Sequence, residues 1–189
     1  MTLARPASAA QSAAPWSRVK WAEAGQIVAL LEDVPHDAEH AALSPQKWCE
    51  ACQDPLLAIR FVAMALPRLE AIGWAAETIA RCDVTSDDER ALLTAVARWM
   101  QGPDDTLRRA VWTAAEPLEG PARFLGVAVF FSGGSIAPPD CDTVSPPATV
   151  CGTAVAGAII GATLCAPDSA AATAQALDAG RAIAAGEES

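Results

Sequence analysis

The sequence predicts an all-α protein, either a compact multi-helix bundle or a short, repeat-like stack of helix pairs. Gly102-Pro103 and Gly120-Pro121 each precede a stretch with apolar residues at the same helical spacing. The apolar fraction is 52%, enough for a core, and six Trp and four Phe supply much of its side-chain volume. No segment alternates convincingly as a half-buried strand does. The matched segments fit either a true repeat or a chance similarity of two buried helices.

The chain is acidic, with a formal net charge of −10. Phosphate backbones and anionic lipid surfaces repel such a protein, so we expect neither nucleic acid nor a membrane surface as its partner. The charge favours solubility and is compatible with a basic partner protein.

The domain prediction is a disordered tail over residues 1–14, one helical domain over 15–186 and a short tail over 187–189. The start is rich in Ala and Ser and has no continuous apolar stretch of the kind an export signal carries. We therefore expect a cytoplasmic protein whose six cysteines are reduced.

The first third of the chain predicts helices separated by a polar connector. Apolar spacing predicts a helix over residues 16–31, and residues 32–45 form the connector. Ser44-Pro45 combines a capping hydroxyl with a proline in the first turn, so a short helix through Cys52 is expected next.

Two helices follow in the middle of the chain. Asp54-Pro55 starts a helix over residues 56–66 that is apolar on almost all sides except Arg60, which is typical of a buried helix. Pro67 ends it and opens another. The predicted buried face of that helix comprises Leu69, Ile72, Gly73, Ala76, Ile79 and Ala80.

The next two helices have clear start signals. Ser86 and Glu89 form a capping box, and the helix behind it has an apolar stripe at Leu92, Leu93, Val96, Trp99 and Met100. A helix over residues 103–116 is predicted to bury Leu107, Ala110, Val111 and Ala114. Arg108 and Arg109 are predicted to project away from that face into solvent.

The remaining chain predicts three helices and one long loop. A central helix follows Gly120 and ends at Ser132-Gly133-Gly134-Ser135, which we interpret as a left-handed helix cap. Four prolines between positions 138 and 147 predict an extended loop. Pro147 then opens a long apolar helix through Ala166, and a last helix spans residues 168–185.

One possible metal or redox site lies near the start of the domain. His36 and His40 form an H-x-x-x-H pair, and Cys49 and Cys52 form a C-x-x-C pair. Two such pairs could hold zinc tetrahedrally, but their order is the reverse of the common zinc finger. A redox pair is typically found at a helix start after a strand, and none is predicted here. We favour a structural pair of cysteines and expect no metal or cofactor.

The charge-free stretch over residues 143–167 contains Gly157 and Gly161, a small-x-x-x-small pattern found in membrane helices. Its length would suffice for a span of roughly 20 residues. However, Pro146-Pro147 shortens it, and acidic rather than basic residues flank it. We expect a core helix whose glycines allow close packing, not a membrane span.

The sequence contains no complete catalytic constellation. The Gly-rich turn at 132–135 lacks the lysine and the following helix of a phosphate-binding loop, and no serine lies in a nucleophile elbow. The acidic pairs Asp87-Asp88 and Asp104-Asp105 lie at helix starts, where the helix dipole favours them. We therefore expect a protein that is not an enzyme.

Three stretches carry a resemblance to a known family: residues 60–71 with Trp74 behind them, residues 128–138, and the segment with Trp99, Pro103, Arg108, Arg109 and Ala110. Together they resemble a small bacterial family of unknown function whose members occur beside genes of the type VI secretion system, particularly those for spike-tip proteins and effector adaptors. The similarity spans roughly residues 54–186, so Cys49 and Cys52 fall outside it. It implies a cellular context and no catalytic residues.

The sequence thus favours a cytoplasmic interaction protein, an adaptor or accessory chaperone for effector or spike-protein loading. We expect it to hold an apolar segment of a protein partner in a groove between helices, with the proline-rich loop near the rim. Any exposed tryptophan would be an anchor for that partner. The candidate partner-binding residues are Trp74, Arg108, Arg109, Trp112, Pro138 and Pro139.

Overall fold

The computed structural model describes residues 16–34, 38–82 and 86–187. Within these ranges the chain forms ten α-helices and no strand, which confirms the predicted all-α bundle. The helices are α1 (Ala24–Val28), α2 (Ala38–Ala41), α3 (Pro45–Ala51), α4 (Pro55–Ala65), α5 (Arg68–Arg81), α6 (Asp87–Gln101), α7 (Asp105–Ala115), α8 (Gly120–Phe130), α9 (Val150–Cys165) and α10 (Ser169–Ala185).

Helix α9 lies at the centre of the bundle, where α4, α5, α8 and α10 pack around it. Its sequence is apolar on all sides, and a helix of that kind is stable in water only when neighbours cover most of its surface. The described helices include none that is both long and apolar enough to cross a bilayer. Most residues of α9 are buried, so it is a core helix as predicted.

Glycines set how closely the helices around α9 approach. A Cβ atom at Gly152 of α9 would lie 2.6 Å from the sulfur of Met64 on α4. In α8, a Cβ atom at Gly126 would overlap the Cβ of Ala115 on α7. These contacts show that backbone-to-side-chain packing, rather than large side chains, fills the space between these helix pairs.

Helices α6 and α7 form an outer layer on α5 and α8. Their starts are capped as the sequence predicts: Ser86 and Glu89 make the reciprocal bonds of a capping box, and Asp104 accepts from the backbone of Leu107 at 2.7 Å. The matched Gly-Pro pairs do not begin equivalent turns, because Pro121 lies in the first turn of α8 whereas Pro103 precedes the cap of α7.

The prediction for the N-terminal third is partly wrong. Residues 16–23 are not helical, and the helix expected over 16–31 is reduced to α1, which Glu23 and Gln26 cap. The predicted connector holds the single-turn helix α2. The short helices α1 and α3 pack against α4, and α2 packs against α1; such tertiary contacts stabilise helices that propensity alone would not predict. The tail predicted over residues 1–14 lies outside the described residues.

The buried faces of α5 and α7 are rotated from those predicted. Leu69 is 38% exposed, whereas Trp74, which the predicted face omitted, is 1% exposed between α5 and α10. On α7, Ala110 is exposed and Arg108 is buried, which is the opposite of the prediction. In both helices one large side chain, Trp74 or Arg108, donates a hydrogen bond to a carbonyl oxygen inside the bundle. The helix face that carries this side chain is therefore the buried one.

Candidate functional site: an apolar groove with charged ends

An apolar groove runs between α4, α8 and α9. Its volume is about 570 Å³. The loop after α1 closes one side, where Glu32 and Asp33 supply acidic groups, and the half-buried Arg60 is the single charge that α4 contributes. Its lining residues are otherwise mostly apolar and include Leu30, Met64, Phe124, Val127, Val150 and Ile160.

Phe124 on α8 lies over the glycines of α9. A Cβ atom at Gly157 would lie 3.4 Å from the ring of Phe124, and one at Gly161 would lie 3.2 Å from Pro121. The glycine pattern singled out in the sequence therefore packs α8 against α9, as expected for a core helix. The ring of Phe124 remains 48% exposed at the groove, although the sequence predicted a central position for this helix.

Two further cavities adjoin the groove. One, of about 400 Å³, shares Leu30 and Met64 with it and is lined by Arg18, Lys20 and Arg68. We call these three cations the basic end. The other, of about 450 Å³, shares Phe124 and Val127 with the groove. Its charged lining residues are Glu116, Glu119 and Arg123, so we call it the mixed end. The charged residues of the described lining are thus all cations at the basic end and of both signs at the mixed end.

Arg108 forms a buried clamp on the loop that follows α8. Its guanidinium donates to the carbonyl oxygens of Phe130 and Ser135 and to Asp105, and it lies 4.8 Å from the centroid of the Phe130 ring. Gly134, with φ of 67°, lets the loop come close, since a Cβ atom there would lie 3.1 Å from the guanidinium. The prediction that Arg108 projects into solvent is therefore wrong, because carbonyl oxygens at the end of α8 and in the loop occupy its donors.

Arg109 extends this clamp toward the surface. It donates to the carbonyl oxygens of Ser135 and Ala137 at 2.9 and 2.8 Å and to Asp105 at 2.8 Å. Hydrogen bonds from Arg108 and then Arg109 lower the pKa of the Asp105 carboxyl. The two arginines together fix the start of the proline-rich loop rather than forming a free cationic patch.

Beyond the clamp, the proline-rich loop projects outward. Pro138 and Pro139 are exposed, so they remain candidate partner contacts. Ser135 closes the base of the loop by accepting from the backbone of Val144 at 3.1 Å. The left-handed cap predicted for the glycines is wrong in position: α8 ends at Phe130, and its C-cap Phe131 has φ of −90°.

Among the candidate aromatic anchors, Trp74 is excluded by burial, and its indole N–H donates to the carbonyl oxygen of Ala176 at 2.8 Å. Trp112 is half-buried, with its ring centroid 5.1 Å from that of Phe130. Trp21 is 38% exposed and lines the cavity of the basic end. The accessible aromatic side chains of the groove are therefore Phe124 and Trp21.

A family model covers residues 48–184 of the chain. The chain belongs to the family of unknown function DUF6931. The match includes α4 to α9 and therefore the Arg108 clamp, the proline-rich loop and the helices that form the groove, but not the loop after α1 that closes one side of it. No curated protein and no solved structure matches the chain.

The DUF6931 match begins earlier than the resemblance in the sequence indicated, and it includes Cys49 and Cys52. The predicted alternative of a zinc or redox site gains no support from this. His36 lies outside the described residues, and those that are described contain no cluster of three or more His, Cys, Asp and Glu side chains suited to a metal ion. Burial raises the pKa of both thiols, the reverse of what a reactive cysteine needs.

Cys151 on α9 gives a pH-dependent prediction for this DUF6931 protein. Burial raises the pKa of its thiol from 9.0 to about 11. Because the unfolded chain loses this proton first, the folded state should lose stability as the pH rises from about 9 to about 11. Urea unfolding at pH 8 and pH 10.5 should show a larger decrease for the wild type than for Cys151→Ala. Equal decreases would contradict the buried position of the thiol.

Proposed function

We propose that this DUF6931 protein is a non-enzymatic adaptor or accessory chaperone that holds an apolar segment of a protein partner. The observation that carries the proposal is the apolar groove, in which the half-exposed ring of Phe124 borders a cavity of about 570 Å³. A groove between helices is a common receptor for the apolar face of a partner helix. An accessible aromatic ring in it is the kind of side chain that dominates binding energy.

The proposed partner is an effector or spike protein of a type VI secretion system, and the proposed step is its loading. The family resemblance in the sequence supports this context. The loop with Pro138 and Pro139 leads directly into Thr149 and Val150, which line the groove. A partner seated in the groove could therefore also contact the residues that precede α9.

The test is co-expression of the tagged protein with the effector and spike-tip gene products of the secretion cluster that neighbours its gene. Phe124→Gln should weaken capture of the partner at least tenfold, because truncating a central aromatic contact typically costs about 2 kcal/mol or more. Binding can be quantified by pulling down a purified pair. Absence of any stable partner from the cluster would contradict the proposal.

Leu164→Gln is the matched control for Phe124→Gln. Leu164 is an apolar side chain of α9 that is 56% exposed and does not line the groove or its two ends. The control changes neither net charge nor the groove, so it should retain partner binding. Equal loss of binding in both variants would show that general surface hydrophobicity, not the groove, holds the partner.

A further inference from the structure

The basic end of the groove is unusual for this protein. The chain has 13 Lys and Arg residues against 23 Asp and Glu residues. Nevertheless Arg18, Lys20 and Arg68 all line this cavity, and no carboxylate is found among its described lining residues. Such a cluster in an acidic protein is a local charge that a partner can neutralise.

The cations of the basic end are available to a partner. Arg18 and Lys20 are exposed on the non-helical segment before α1. Arg68 is exposed at the start of α5 and donates at 2.6 Å to the carbonyl oxygen of Ser132, a neutral acceptor that leaves its charge uncompensated. The floor between these cations is apolar and includes Ala63, Leu66 and the exposed Trp21.

We infer that the groove selects a protein segment that is apolar along its length and acidic at one end, and that it binds this segment with the acidic end over Arg18, Lys20 and Arg68. The inference rests on the proposed function, since it names the chemistry of the segment held in the same groove. The apolar middle provides contact area, and the basic end determines which way the segment lies. Nucleic acid does not fit this site, because the apolar floor contributes nothing to phosphate binding and the net charge of −10 repels it.

The test uses three fluorescein-labelled synthetic peptides with blocked termini and one shared apolar stretch of Leu, Ala and Phe. They carry three Glu, three Gln or three Lys residues at the same end. At low salt the Glu peptide should bind about tenfold more tightly than the Lys peptide, as expected for a few exposed ion pairs. The Gln peptide should lie between them, and the difference should shrink at high salt because exposed charges are screened.

Two charge-reversed double variants show whether the preference for the Glu peptide comes from the basic end. Arg18→Glu with Lys20→Glu should abolish the preference for the Glu peptide and leave binding of the Gln peptide unchanged, which also shows that the variant is folded. The matched control is Lys47→Glu with Arg98→Glu, which alters net charge equally at exposed positions outside the groove and its ends. The control should keep the preference.

The outcomes separate this inference from the proposed function. If all three peptides bind equally and Phe124→Gln weakens all of them, the groove binds apolar segments without selecting a charged end, and only the present inference is overturned. If no peptide binds, both are overturned. A fourth peptide carries the three Glu residues but no apolar stretch. If it binds as tightly as the Glu peptide, the inference is also overturned, because the basic end would then be a simple anion site.

Discussion

Replacing Trp74 with alanine is expected to lower the free energy of unfolding by about 4 kcal/mol, the middle of the range for a large aromatic side chain in a core. The indole is 1% exposed, and its N–H donates to the carbonyl oxygen of Ala176 on α10. Removing it leaves a cavity where α5 and α10 meet and takes away the donor of a buried hydrogen bond. Urea unfolding followed by circular dichroism measures the loss.

Two variants test whether this loss comes from the position of Trp74. Trp74→Phe retains most of the apolar area and should lose roughly 1–2 kcal/mol, from the hydrogen bond and a smaller cavity. Trp21→Ala removes the same side chain at a position that is 38% exposed and should change stability by less than about 1 kcal/mol. A loss for Trp74→Ala no larger than that for Trp21→Ala would contradict the packing of α5 on α10.

Gly180 on α10 lies against Trp74, so substituting it tests the same helix packing from the other side. A Cβ atom at this position would lie 2.6 Å from Cζ2 of Trp74, so Gly180→Ala forces the indole or the helix to move. The smaller ring of Trp74→Phe should relieve part of that overlap. The double variant should therefore lose less unfolding free energy than the two single variants lose together, because the two side chains occupy the same space.

The sequence predicted most helix ends because the signals for them are local. Ser44, Asp54 and Asp168 cap the helices that they were expected to start or precede, each by accepting from a backbone N–H two or three residues onward. A cap needs only a few neighbouring residues, so it can be recognised in a sequence. The clustered prolines before α9 were equally informative for the same reason.

What the sequence did not predict depends on partners far along the chain. The rotation of α5 depends on Ala176 of α10, and the burial of Arg108 depends on carbonyl oxygens in a loop more than twenty residues later. For α9 the spacing of Gly157 and Gly161 indicated close packing correctly. It could not identify Phe124 as the side chain on the other side, because no local pattern shows which helix lies opposite.

The basic end illustrates the same limit for the candidate site. Arg18 and Lys20 are separated from Arg68 by almost fifty positions, and the sequence places them in a segment that it wrongly predicts as helix. Their approach follows from the packing of the segment before α1 beside the end of α4. A count of charges in the sequence gives a net charge of −10 and conceals this local excess of cations.

Replacing Arg108 with alanine is expected to lower the free energy of unfolding by about 3 kcal/mol, because charge-assisted hydrogen bonds contribute about 1.5–3 kcal/mol and the carbonyl oxygens left behind lose their donors. The Arg108 side chain is only 4% exposed, whereas that of Asp105 is 58% exposed. Water can therefore solvate the carboxylate in the variant, and the loss comes mainly from the carbonyl oxygens of Phe130 and Ser135.

The same substitution should loosen the proline-rich loop. Thermolysin cleaves before apolar residues; Ile136 lies between the clamped residues Ser135 and Ala137, and Val144 lies further along the loop. Cleavage there under native conditions should be faster in Arg108→Ala than in the wild type, since the loop then opens without unfolding the bundle. Mass spectrometry of the fragments identifies the sites. Faster cleavage spread evenly over the whole chain would instead indicate global unfolding.

Arg108→Lys separates charge from geometry. Lysine keeps the positive charge, but it cannot donate in the planar arrangement by which the guanidinium reaches Asp105 and two carbonyl oxygens at once. We expect it to recover less than half of the stability lost in Arg108→Ala and to leave the loop sensitive to thermolysin. Arg98→Ala, at an exposed position on α6, should leave both properties unchanged. Full recovery by lysine would mean that the loop responds to charge alone and not to the directed hydrogen bonds of the clamp.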